Sequence, residues 1–332
     1  MRFSTSSYLV ALIGLAVMMG LIVHEGYQSI FQTLEHAGWG LLWLIPFHFL
    51  PLILDAESWR ALLRPCDPDG YATRPFLVWI ATVREAVSRL LPLASIGGEI
   101  IGIRLALRRP LDGAAVTASV ILEVLLTLIN QYIFTVIGLV LLMATIRNTP
   151  DTIWWGLGVS LPVPIMLALL LRYGSPFSYI ARFTERILGS RHRLASLLDN
   201  APDLDEEIRK LYGQHGLLWT ALAWQLAGML LGSFETWLAL ELFGHSTTVW
   251  NAIILESLWL AIRHLAFFVP GALGVQETGL IIIGSLIGLP ADATIALSLS
   301  KRFREIAIGL PALASWQWVE IRHIRRIAGT LG

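Results

Sequence analysis

The sequence predicts an all-α membrane protein: a polytopic bundle of transmembrane helices containing two broken, re-entrant helical hairpins in an inverted repeat. Three observations predict it. The 332 residues are 55% hydrophobic and only 14% charged, with a mean hydropathy of +0.67, whereas soluble domains carry roughly 25% charged residues. Apolar windows recur at the length of about 20 residues needed to cross a bilayer. Two of the apolar stretches are interrupted in the same manner, by LPLASIGGE at 91–99 and by VPGALGVQE at 269–277.

The elements follow in order. The run at 8–24 lacks a small-residue cleavage pattern after it and reads as a retained first helix. Apolar windows follow at 39–55, 113–145, 152–171, 217–243 and 293–318. The stretches at 76–109 and 249–290 hold the interruptions. Proline removes a helix hydrogen bond and glycine loosens the backbone, so Pro92, Gly97, Gly98, Pro270, Gly271 and Gly274 predict two half-helices meeting at depth in each stretch. The polar segment at 172–216 has a basic, amphipathic first half, expected along the membrane surface, and an acidic second half, and its plainest reading is a solvated connecting helix. The whole chain, 1–332, is one integral membrane domain, with a first repeat at about 76–146 and a second at about 249–318.

Basic residues concentrate on the cytoplasmic side of bacterial membrane proteins. With the N-terminus inside and each broken stretch returning to the side it entered from, 17 Lys and Arg fall in cytoplasmic segments and Arg147 alone outside. The expectation is a multi-pass inner-membrane protein with both termini cytoplasmic. An interfacial belt places Trp39, Trp154, Trp155 and Trp250 at outer ends and Trp59, Trp219, Trp316 and Trp318 at inner ends. The single cysteine, Cys66, excludes an internal disulfide and a cysteine zinc site. Zero formal net charge gives no reason to expect nucleic acid as a partner.

Aligning Pro92 with Pro270 also aligns Glu99 with Glu277. An aspartate link follows each break, Asp112 and Asp292, and then a helix carrying polar residues: Glu123 in the first copy, Arg302 and Glu305 in the second. In transporters, inverted repeats with broken helices meet at a midplane substrate site. A charge at the bilayer centre costs about 2.5–3.5 kcal/mol on insertion scales, so the cluster needs a reason to persist. Local pairing is one reason: Glu85 with Arg89, Lys301 with Glu305 and Arg302 with Glu305 have helical spacing. The other is a binding site. Arg84, Arg89, Arg263, Arg302 and Arg304 are expected to line a polar cavity for an anionic or polar lipid headgroup, with Glu99, Glu123, Glu277 and Glu305 holding them or accepting protons. His264 reads as a packing residue, Asp55 and Glu57 as solvated interface groups, and Glu235 and Glu256 have no evident partner.

Other motifs carry little. Ser298 and Lys301 form S-x-x-K without the further motifs of the serine enzymes that use it. Glu320 and His323 lack a completing metal ligand. No phosphate loop or dinucleotide fingerprint occurs, so neither cofactor nor metal is expected.

The stretch REAVSRLLPLASIGGEIIGIRLALRRPLDGAAVTASVILEVLL, with the later PGALGVQETG, resembles the flippase-like membrane domain of the lysylphosphatidylglycerol synthase family, and RLLPLASIGGE is similar to its hopanoid-biosynthesis-associated branch. The family motif falls on Arg84, Arg89, Pro92, Gly97, Gly98 and Glu99. The second copy departs from it, with Val275-Gln276 in place of Gly97-Gly98. The resemblance implies the lipid-handling half of such a synthase without its aminoacyl-transferring half, and therefore translocation or binding of a hopanoid or polar phospholipid. The alternative is an intramembrane enzyme, or an accessory subunit, of hopanoid or polyprenoid synthesis, with Glu99 and Glu277 as acid and base. The partners implied are a membrane lipid, a second copy of the chain or lipid-biosynthesis enzymes.

Overall fold

The structure, a computed structural model, describes residues 27–91, 97–146, 201–266 and 272–330 and a few isolated positions between them. The predicted spans at 8–24 and 152–171, the basic first half of the connecting segment, and Pro92, Pro270 and Gly271 lie outside the described residues. The described elements are helical: α1 (Tyr27–Ala37), α2 (Leu44–Leu63), α3 (Arg74–Leu90), α4 (Gly97–Ala106), α5 (Gly113–Thr145), α6 (Ala201–Tyr212), α7 (His215–Leu242), α8 (Val249–Leu265), α9 (Val275–Leu286) and α10 (Ala291–Thr330). A 3₁₀ turn, Gly38–Trp43, joins α1 to α2. Among the described residues, Ile30–Cys66, Gly113–Thr145 and His215–Leu242 are long and apolar enough to cross a membrane.

Both interrupted stretches form pairs of half-helices, α3 with α4 and α8 with α9, whose members pack on each other. Small residues make the approach close, as helices without a hydrophobic drive between them require. Gly98 lies where a Cβ would come within 2.6 Å of the Arg84 carbonyl oxygen, and a Cβ on Gly279 would meet Ile262 Cδ1 at 2.7 Å. Gly274, at φ +79°, takes the left-handed turn into α9. The two aspartates of the sequence repeat both start long helices. The Asp112 carboxylate accepts the Ala115 N–H at 2.8 Å to cap α5, and Asp292 lies in the first turn of α10, accepting the Ala293 N–H at 2.9 Å. Negative charge there is favourable against the helix dipole.

Packing between the pairs is reciprocal. The long helix α5 packs against α8, and the long helix α10 packs against α3. One apolar cluster joins Leu44, Leu142, Ile254, Ile283 and Ala296; a second joins Trp59, Leu77, Leu105, Val116 and Ala312. The first therefore holds the start of α8 with the end of α9, and the second the start of α3 with the end of α4. The outer ends of the two hairpins thus lie in different apolar clusters.

Two expectations change at the periphery. The acidic half of the connecting segment is not a freely solvated helix: α6 buries Ile208 and Leu211 against Leu62, Leu122 and Ala221. Trp59 is not interfacial either. It is fully buried, donates to Ser119 Oγ at 3.0 Å and lies under the Arg84 guanidinium at 5.0 Å, whereas Trp39, Trp219, Trp250 and Trp318 are exposed as a belt requires.

Gly98→Ala is expected to destabilise the protein by about 1–3 kcal/mol, the cost of overpacking, because the new methyl would meet the fixed Arg84 carbonyl oxygen as well as Ser88 Oγ. Gly216→Ala, with nothing within 4 Å of the added atom, is the control. Thermal unfolding in detergent checks the contrast.

Candidate functional site

Residues of α3, α4 and α8 near the two interruptions, with others from α2, α5, α7 and α10, surround a cavity of about 300 Å³. α2 supplies His48, Pro51 and Asp55; α3 supplies Arg84, Glu85, Ser88 and Arg89; α4 supplies Glu99. From the other side come Gln131 on α5, Gln225 and Glu235 on α7, Glu256, Trp259 and His264 on α8, and Arg304 on α10. Amphipathicity alone does not place them there. α3 contributes Arg84, Glu85, Ser88 and Arg89, an i, i+1, i+4, i+5 set that one helix face presents together, and Pro51 interrupts the hydrogen-bond ladder of α2 one turn after His48.

The charges are tied into chains. Arg84 pairs with Glu99 across the first hairpin, and its Nη1 lies 2.8 Å from Glu123 Oε2 on α5, close but misaligned for a hydrogen bond. Arg89 holds Glu85 through Nε and Glu305 through Nη1, both at 2.5 Å. Glu305 also accepts from Arg263 at 3.0 Å. Glu85 and Glu235 flank His48, with Glu85 Oε2 3.0 Å from Nε2 and Glu235 Oε2 3.1 Å from Nδ1, and Arg304 closes the chain on Glu235. Lys301 donates to Glu256 at 2.6 Å, as does Thr236. Helices from both repeats and from between them are thereby joined by charge-assisted bonds, the stronger kind in a dry interior.

Of the residues expected to line the cavity, Arg84, Arg89, Glu99 and Arg304 do so, and Glu123, Arg263 and Glu305 stand behind them as partners. Glu277 and Arg302 do not join. Glu277 Oε1 accepts from Arg302 Nε and Nη2 at 2.9 and 2.7 Å and from Ser298 at 3.1 Å, while Oε2 caps the Gly274 N–H at 2.7 Å. The N-terminal end of α9 is closed by its own carboxylate. Glu277 is 2% exposed and welds the second hairpin to α10, so Glu99 and Glu277 have unlike roles and do not share the cavity wall as an acid–base pair.

Local spacing also misjudged two pairs. Lys301 takes Glu256 and Arg302 takes Glu277, and neither pairs with Glu305, which turns to Arg89 and Arg263. The Glu85–Arg89 pair holds as expected. Sequence reasoning missed His48 and left Glu235 and Glu256 unassigned; all three line the cavity. Their signal was present, because an ionisable side chain inside an apolar window is itself a site indication. Asp55 is not a solvated interface group but a cavity carboxylate without a hydrogen-bond partner among the described residues. Glu57 does lie at an end of the bundle, paired with Arg60 and Arg74.

Acidic side chains outnumber basic ones around the cavity. Seven carboxylates (Asp55, Glu85, Glu99, Glu123, Glu235, Glu256 and Glu305) face five bases (Arg84, Arg89, Arg263, Lys301 and Arg304). Among the described residues, no group of His, Cys, Asp and Glu is arranged to hold a metal ion.

Glu235→Gln leaves Arg304 buried against a neutral partner, and loss of one member of a buried pair costs about 3–5 kcal/mol. Thermal unfolding is expected to show that loss, and the Glu235→Gln/Arg304→Met double variant is expected to recover part of it.

The charged cavity lies inside a bundle of apolar helices, beside the two interruptions. No curated protein and no solved structure matches the chain. The family model of the lysylphosphatidylglycerol synthase TM region matches residues 8–312, without singling out a branch, and the chain is therefore a membrane protein belonging to that family.

Proposed function

We propose that this protein moves a polar lipid between the leaflets of the bacterial inner membrane, its headgroup passing through the cavity beside the two interruptions while the tails stay in the bilayer. The observation that carries the reading is the cavity itself, about 300 Å³ and walled by Arg84, Glu99, Asp55 and Arg304 among helices whose outer surfaces are apolar. Exposed Ile100, Leu265, Phe303 and Leu310 suit lipid contact, and such a surface around a polar interior is what a headgroup path needs. Membership of a family of lipid-synthase membrane regions gives a lipid-related role independent support.

The architecture suits alternating access. Two hairpins whose outer ends lie in different apolar clusters, each packed against the long helix that follows the other, are read here as an inverted repeat. Rocking one repeat against the other exposes the same cavity to each side in turn. The acidic excess narrows the headgroup from anionic to zwitterionic or neutral and polar, which covers polar phospholipids and hopanoids with a polyol end. Arg84 and Arg89 would meet a phosphate or hydroxyl, and Asp55 and Glu99 an ammonium or hydroxyl.

Asp55→Asn and Glu99→Gln test this in vesicles of phosphatidylethanolamine and phosphatidylglycerol carrying a fluorescent phosphatidylethanolamine or a fluorescent hopanoid. Loss of a charged hydrogen-bond partner is worth about 1.5–3 kcal/mol, so translocation is expected to slow about tenfold or more. Asp55→Asn should leave unfolding unchanged, since Asp55 bonds to no protein group among the described residues. A wild-type protein that moves neither probe, or variants as fast as wild type, would exclude the reading.

A further inference from the structure

His48 occupies an unusual position. Both of its ring nitrogens face carboxylate oxygens, Nε2 at 3.0 Å from Glu85 and Nδ1 at 3.1 Å from Glu235. Each carboxylate uses its other oxygen for an arginine, Glu85 for Arg89 and Glu235 for Arg304, a pairing that favours the ionised form. Ionised carboxylates only accept, and a neutral imidazole has one N–H to give. A neutral ring would set a lone pair against an oxygen in one of its two contacts. The geometry is complete only when a second proton is present, with both ring nitrogens donating.

We propose that His48, clamped between Glu85 and Glu235, is a proton-binding site, and that its proton occupancy is coupled to passage of lipid through the adjoining cavity. The coupling rests on the translocation reading above; the proton site does not. Two further observations support it. The cluster around the cavity carries two more carboxylates than bases, so one added positive charge at its centre reduces an imbalance that the low-dielectric surroundings make costly. His48 also lies between two spaces: it lines the main cavity and a second void of about 10 Å³ between α3 and α10, walled by Arg89, Glu305 and Gly309. That void has room for about one water molecule.

The groups facing His48 come from each charged element around it: Glu85 and Arg89 from α3, Glu235 from α7 and Arg304 from α10. Glu123, the sole charged residue of α5, is engaged by Arg84, and Asp55 lies on the same helix as His48. The step is a simple transfer. A proton from cavity water bonds to the ring nitrogen that lacks one, forming the imidazolium, and the same N–H bond breaks when the proton leaves to water on the other side. With the proton bound, α2 is tied to both α3 and α7. Without it, one tie is lost, and the wall between the helices loosens on that side.

Two measurements on the full chain decide the matter. Nitrogen-15 NMR of histidine-labelled protein in nanodiscs, with the His48 signal assigned by its loss in His48→Gln, reads the ring directly. Two N–H groups on His48 over part of the range from about pH 5 to 9 are expected; a ring with one N–H throughout overturns the proton site. The second measurement follows fluorescent phosphatidylethanolamine in the vesicles above under an imposed pH difference. One-to-one coupling lets a difference of about one unit shift the wild-type leaflet distribution up to about tenfold, and a wild type that moves the probe without such a shift overturns the coupling; in His48→Gln the final distribution is expected not to respond to the pH difference, whatever the variant's rate. An equal response in wild type and His48→Gln overturns the coupling and leaves translocation standing. A wild type that moves no probe defeats the translocation reading and the coupling with it, and the NMR result then decides the proton site alone.

Discussion

A guanidinium or carboxylate among membrane helices finds little water, so the fold must bring it a partner or hold water beside it. In this protein both solutions occur within a few residues of each other. Arg89 engages Glu85 on its own helix and Glu305 on α10, and Arg304 of α10 reaches Glu235 on α7. These bonds fix the rotation and depth of helices that apolar packing alone would let slide, since lipid tails compete on equal terms with leucine. The same bonds leave Asp55 and Glu99 facing an open space. Charge pairing and the cavity are two aspects of one arrangement.

The broken helices make that arrangement geometrically available. An uninterrupted helix presents a continuous apolar side to its neighbours, whereas a half-helix ends where the charges are needed. In the first hairpin the close packing of Gly98 and Gly102 on Arg84 lets the arginine lie flat between α3 and α4, reaching Glu99 on one side and Glu123 on the other. In the second, Glu277 turns inward to cap Gly274 and bind Arg302, and the tip is sealed. Similar sequence breaks therefore serve different ends: one hairpin opens onto the cavity, and the other anchors the long helix that carries Arg304 and Glu305 to it.

Much of this was legible in the sequence. The apolar window at 113–145 coincides with α5, and the interruptions at 91–99 and 269–277 run from the gap between the half-helices into the first turn of α4 and of α9, because proline, glycine and window length act locally. Partner choice was not legible. Lys301 has Glu305 four residues on, yet its side chain meets Glu256 on another helix, and which face of α10 turns toward α8 is decided by tertiary packing. His48 was overlooked for a related reason: in an apolar window a histidine looks like a packing residue, and only the approach of α3 and α7 sets a carboxylate at each ring nitrogen.

The central claim is that water reaches the charged space beside the two interruptions, deep within the apolar bundle. Cys66 is the sole native cysteine, so a Cys66→Ser background carrying Asp55→Cys places one thiol in that space. In sealed vesicles the account predicts reaction of this thiol with a small, charged, membrane-impermeant reagent, and protection when polar lipid is in excess. A thiol that reacts only after detergent opens the bundle would contradict it.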